Sequence, residues 1–191
     1  MSQIHSPHVG LIIEGFGDRG AIPLLLRNYL HSRGIYSDIL GKPIPLKGKS
    51  SATKDKGIEG YAAAAASRPG CKGLLVVLDA DDEMPCKEGP ELLQRVATIT
   101  PVPCVIAIAE RDYEDWIYAS AETLEIDIAE FSPAARGLKE ITNALRPEKY
   151  RKPIWQPKLT ARIDFDLARS RSSSFNRFLA RFDELCQPIV D

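Results

Sequence analysis

Residues 9–13 read VGLII and run without a break into Glu14-Gly15-Phe16-Gly17-Asp18. An apolar, β-branched run stopped by an acid and two glycines predicts a buried strand and then a tight turn, because glycine reaches backbone conformations closed to other residues. The residues that follow, Ile22, Leu25, Leu26, Tyr29 and Leu30, fall at helical spacing, with Asp18 as N-cap and Gly34 as the stop. Strand, turn and helix in this order form the opening half of a βαβ unit.

The same ending recurs downstream. Residues 73–78, GLLVVL, run into Asp79-Ala80-Asp81-Asp82, and residues 102–109, VPCVIAIA, run into Glu110-Arg111-Asp112-Tyr113-Glu114-Asp115-Trp116. Hydrophobicity that is continuous rather than alternating predicts parallel strands covered on both faces. Between these segments the sequence predicts a second strand at residues 36–40, a Pro- and Lys-rich loop, a helix over residues 53–67 ended by Arg68-Pro69-Gly70, and a helix over residues 91–99 after Gly89-Pro90. Four strands alternating with helices predict a doubly wound α/β domain over residues 1–120, with a four-stranded parallel sheet and helices on both faces. Residues 121–191 read as a basic, mainly helical extension packed on that domain. Its clearest element is an amphipathic helix carrying Phe175, Phe178, Leu179, Phe182 and Leu185. Trp116 and Cys104 are expected in the core.

The chain of 191 residues carries 25 Lys+Arg and 26 Asp+Glu. That balance excludes a nonspecific basic coat protein and an acidic disordered tail, but it hides a partition. Positions 79–130 hold 14 acids against three bases, a net of -11, whereas positions 146–181 hold ten bases against three acids, a net of +7. An acidic centre with basic flanks suits a bound cation beside a polyanion. Within the basic segment, Tyr150, Trp155 and Phe165 interleave with Lys149, Arg151, Lys152, Lys158 and Arg162, a pattern that serves base stacking or ordinary packing equally. Cys71, Cys86, Cys104 and Cys186 form no C-x-x-C pair, which excludes a zinc knuckle and a thioredoxin motif. The first residues lack a basic, apolar leader, and the longest apolar run is far below the ~20 residues that span a bilayer. A cytoplasmic protein without membrane contact is therefore expected.

In an open parallel sheet, ligands bind beyond the carboxyl ends of the strands. Glu14, Asp79, Asp81 and Glu114 all follow strands toward that edge, and converging carboxylates repel one another unless a cation offsets the charge. An all-oxygen set of this kind suits Mg2+ or Mn2+. Gly15, Gly17 and Gly20 match G-x-G-x-x-G, a weak dinucleotide signal with only Asp38 as the acid that should follow.

Strand-Glu-Gly at the first site and strand-Asp-x-Asp at the third resemble the Toprim domain of topoisomerases, primases and overcoming-lysogenization-defect nucleases. Glu14–Asp18 is similar to the EGxxE form of the nuclease branch, with aspartate in place of the second glutamate. IAIAERDYEDWIYAS and YRKPIWQPKLTARIDF look like segments of small stand-alone Toprim-like proteins encoded beside ABC- or AAA-type ATPases. The resemblance implies a Mg2+-dependent (or Mn2+-dependent) nuclease acting on DNA or RNA, working with an ATPase subunit in prokaryotic antiviral defence. It implies Glu14 as acid/base or metal ligand and Asp79 and Asp81 as ligands. Asp18 and Glu114 would serve a second ion, and Lys158 would be the cation stabilising phosphoryl charge. The alternative is a Toprim-like module that binds a partner or nucleic acid without cutting it.

Overall fold

Every residue of β1 (His8–Ile13) from Val9 onward is buried, because the strand lies inside a sheet rather than at its rim. The computed structural model describes residues 6–80 and 84–190. Its sheet has four parallel strands in the order β2-β1-β3-β4. The partners are β2 (Ile44–Pro45), β3 (Cys71–Asp79) and β4 (Cys104–Ala109). Ile13 pairs with Val77, and Asp79 with Ala109, so the strands from which Glu14, Asp79 and Glu110 emerge end at one edge.

The uninterrupted hydrophobicity of these strands is divided between two cores. Leu11, Ile13, Leu75 and Val77 face a layer built from α1 (Asp18–Ser32), α5 (Tyr113–Tyr118) and the C-terminal helices. Ile12, Leu74, Val76 and Leu78 face α2 (Ser50–Thr53), α3 (Gly57–Ala66) and α4 (Pro85–Ala97). The doubly wound α/β architecture is thus present, and successive side chains of each strand feed opposite cores.

Three local expectations need correction. The second strand does not occupy residues 36–40. Tyr36 is exposed, Leu40 forms only an isolated bridge to Val9, and the paired segment is Ile44–Pro45. The chain runs beside β1 in two steps, with Gly41 N–H donating to Val9 O and Leu46 N–H to Ile13 O. Pro43 between them has no N–H to give. The helix expected over residues 53–67 is split into α2 and α3 at Lys56, whose φ is 53°. There the chain folds back so closely that a Cβ on Gly57 would lie 2.3 Å from Ser51 O. The helix expected at residues 91–99 starts earlier, at Pro85, where the ring presets the helical φ.

The C-terminal region supplies α6 (Gly137–Ala144), α7 (Lys152–Thr160), α8 (Phe165–Arg171) and α9 (Ser173–Val190). α9 crosses β1, β3 and β4, while α7 lies against α1. Phe175, Phe178, Leu179, Phe182 and Leu185 are all buried, each contributing roughly 1.5–3 kcal/mol of burial. Trp116, fully buried, stacks on Phe178 at 4.8 Å between ring centroids, and its indole N–H donates to Ser174 Oγ at 2.9 Å. Cys104 is half-buried on the edge strand. Among the described residues no helix is long and apolar enough to cross a membrane.

Candidate acidic centre at the strand ends

Glu14 follows β1 directly, and its Oε2 accepts the N–H of Asp79 at 2.8 Å. This bond joins the ends of the two central strands. Asp18, the first residue of α1, does not cap its own helix as the sequence suggested. Its Oδ2 reaches back to accept Gly15 N–H at 2.9 Å, and Oδ1 is buried without a hydrogen bond. The reversed bond closes the EGFGD turn and holds a carboxylate beneath it.

Asp79 ends β3 with its side chain 13% exposed. Burial pushes its carboxyl up to about 8. Lys152 opposes that rise, and the negative charges of Glu14, Glu114 and Asp18 reinforce it. Glu114, on α5, is fully buried. Its Oε1 accepts from Tyr150 O–H at 2.5 Å and from Gln156 Nε2 at 2.9 Å, while Oε2 lacks a hydrogen bond. Burial and the Glu114 charge raise the Tyr150 hydroxyl above its ordinary range, so it remains a donor.

The Lys152 ammonium lies among these acids, 3.5 Å from Asp79 Oδ2 and 3.9 Å from Glu114 Oε2. Burial would lower its pKa, but Glu114, Asp79, Asp18 and Glu14 together raise it above the ordinary lysine value. Four carboxylates, from the ends of β1 and β3 and from α1 and α5, therefore act on one ammonium. Asp112, at the N-terminus of α5, belongs to the same field. Burial, with Asp115 and Glu114, pushes it up to about 6. Asp115 is structural instead, accepting from Gly137 N–H at 2.6 Å and pairing with Arg111.

The structure brings Glu14, Asp18, Asp79 and Glu114 together, and Asp81 lies outside the described residues. Lys158 is elsewhere: its exposed ammonium sits 4.7 Å above the ring centroid of Trp155. The lysine at the acids is Lys152, at the start of the same helix, and Lys158 is six residues on, about 120° around the helix. Gln156, one turn after Lys152, shares its face and also reaches Glu114.

The glycine pattern of the first turn has a packing explanation. A Cβ on Gly17 would lie 3.0 Å from Lys152 Cβ, and one on Gly20 would lie 2.9 Å from Pro157 Cγ. These glycines let α7 approach closely enough to deliver Lys152. Sequence reading missed Lys152, Tyr150 and Gln156 as members of the site, although the interleaved basic and aromatic segment was the signal that contained them. The Lys-rich loop also contributes at this edge, because Lys49 Nζ donates to Ala80 O at 2.6 Å and pairs with Glu88 at 2.9 Å.

The donor set is all oxygen, and two of its buried oxygens, Asp18 Oδ1 and Glu114 Oε2, have no hydrogen-bond partner. That chemistry suits a hard cation. As the side chains stand, no group of three or more His, Cys, Asp or Glu among the described residues is arranged to hold a metal ion. No family model, curated protein or solved structure matches the chain.

Proposed function

We propose that this chain is a Toprim-like, Mg2+- or Mn2+-dependent phosphodiester hydrolase acting on DNA or RNA, as the partner of an ABC- or AAA-type ATPase in antiviral defence. The observation that carries the reading is the set of four carboxylates at the sheet's carboxyl edge, two of whose buried oxygens have no hydrogen bond, with the Lys152 ammonium beside Asp79 and Glu114. Buried carboxylates clustered this closely are costly to keep, and such clusters concentrate at functional sites. The ATPase partner and the defence role rest on the sequence resemblance.

In this reading Asp79, Asp18 and Glu114 hold the ion, with Glu14 as a further ligand or as the proton acceptor and Asp81 as a candidate ligand. The bound ion supplies Lewis acidity at a phosphoryl oxygen. Glu14, oriented by the Asp79 N–H, takes the proton from the attacking water. Tyr150 and Gln156 fix the Glu114 carboxylate through Oε1 and leave Oε2 turned toward Lys152. With the acids neutralised in this way, the Lys152 ammonium would be free to contact the phosphate.

Purified chain, alone and with its ATPase partner, is incubated with labelled single-stranded DNA, duplex DNA and RNA in Mg2+ or Mn2+. Metal-dependent cleavage abolished by Glu14→Gln and by Asp79→Asn supports the reading. Cleavage undiminished in both variants refutes the site. A second reading, a binding module without catalysis, is favoured by Lys152 itself, which already places a tethered cation against Asp79 and Glu114. Absence of divalent-ion binding together with a stable ATPase complex would select it.

A further inference from the structure

We infer that the acidic centre receives an unpaired nucleotide whose base lies on the ring of Phe16. The inference rests on the phosphodiester reading and names its substrate class as single-stranded, or locally unpaired, nucleic acid.

Beside the centre a large apolar ring is left in solvent. Phe16, midway between Glu14 and Asp18 in the β1–α1 turn, is 65% exposed. Phe16 is held outward by its own turn. Gly15 N–H donates to Asp18 Oδ2 at 2.9 Å, and Asp18 N–H donates to Gly15 O at 3.3 Å, closing the backbone on both sides of the ring. The Arg19 guanidinium lies 5.7 Å from the ring centroid.

An exposed π-face that already attracts a guanidinium, next to a centre suited to phosphate chemistry, matches the base and phosphate of a nucleotide better than it matches a protein surface. In a duplex the base faces are covered by their neighbours, so only an unpaired nucleotide can offer one to Phe16. The aromatic residues of the basic tail do not provide this platform. The Trp155 ring is half-buried, the Tyr150 hydroxyl is bound to Glu114, and Phe165 packs on Tyr29 at 5.4 Å.

The test is fluorescence anisotropy in Ca2+ with a labelled oligothymidylate of about 15 nucleotides and a duplex of equal length. Wild-type protein, Phe16→Ala and Phe16→Trp are compared, with Mn2+ affinity measured by calorimetry for each. Wild type should bind the single strand at least about tenfold more tightly than the duplex. Phe16→Ala should lose about tenfold in single-strand affinity, with Mn2+ affinity and melting temperature unchanged, and Phe16→Trp should retain the affinity. Equal single-strand affinity in wild type and Phe16→Ala overturns the inference. If cleavage in that case remains metal-dependent and sensitive to Glu14→Gln, the phosphodiester reading stands without it. Wild-type protein that binds neither nucleic acid nor Mn2+ overturns both. Loss of ATPase binding in Phe16→Ala with single-strand affinity intact makes the ring a protein contact and also overturns the inference.

Discussion

Replacing Asp79 by asparagine keeps the shape of the side chain at the end of β3 and removes its charge. In the folded protein the Asp79 carboxyl holds its proton up to about 8, whereas in the unfolded chain it releases it near the ordinary value of about 4. Between those two pH values the folded state binds more protons, so stability falls as pH rises. A rise of about four pK units corresponds to a ceiling of about 5–6 kcal/mol. Side-chain relaxation and water entry reduce this to about 2–3 kcal/mol, or roughly 5–10 °C in melting temperature for a chain of this size. The assay is urea unfolding without divalent ions at intervals from pH 5 to pH 9. Wild type should lose about 2–3 kcal/mol across that range beyond any loss shown by Asp79→Asn. Saturating Mg2+ should flatten the wild-type profile, because the ion favours the ionised carboxylates, and should leave the variant's profile as it was. Superimposable profiles for the two proteins would refute the reasoning, since Asp79 would then not be carrying a buried charge.

Lys152→Met removes the ammonium 3.5 Å from Asp79 and 3.9 Å from Glu114. Because the side chain is 40% exposed, solvent screening limits the loss to about 1–2 kcal/mol at pH 8. Urea unfolding should show a smaller loss at pH 5, where Asp79 is protonated. Tyr150→Phe deletes one donor to the fully buried Glu114, and chemical denaturation should show a loss of about 1–3 kcal/mol. Gly137→Ala puts a Cβ 2.4 Å from Glu114 O. Thermal unfolding should fall by an amount equivalent to about 2–3 kcal/mol, with cleavage reduced further because α5 must shift.

The two central strands were legible because burial on both faces leaves a direct trace, an apolar run that stops at an acid. Glu14, Asp79 and Glu114 could be read from the same trace, since strand order alone carries them to one edge. β2 was not legible, because the chain follows β1 through backbone bonds interrupted around Pro43, a short pairing without a hydrophobic run. The break between α2 and α3 was equally hidden. The Ala-rich segment has high helix propensity, and the left-handed Lys56 is imposed by the tight return past Ser51. Lys152 lies 73 positions from Asp79 and meets it only because α7 packs on Gly17 and Gly20. A basic segment read in isolation offered several lysines of equal standing. Helical periodicity explains the choice between Lys152 and Lys158, but only once the helix's start and its neighbour are known. The glycines that resembled a dinucleotide turn were the counterpart of that packing.

The central claim is that the strand-end carboxylates form a cation-binding centre. Calorimetric titration of Mn2+ into wild-type, Glu14→Gln and Asp79→Asn protein at pH 8 tests it most directly. The account predicts saturable binding by wild type and a loss of at least about tenfold in affinity in each variant, comparable to losing one charged ligand. No binding by wild type, or equal binding by all three proteins, would contradict it.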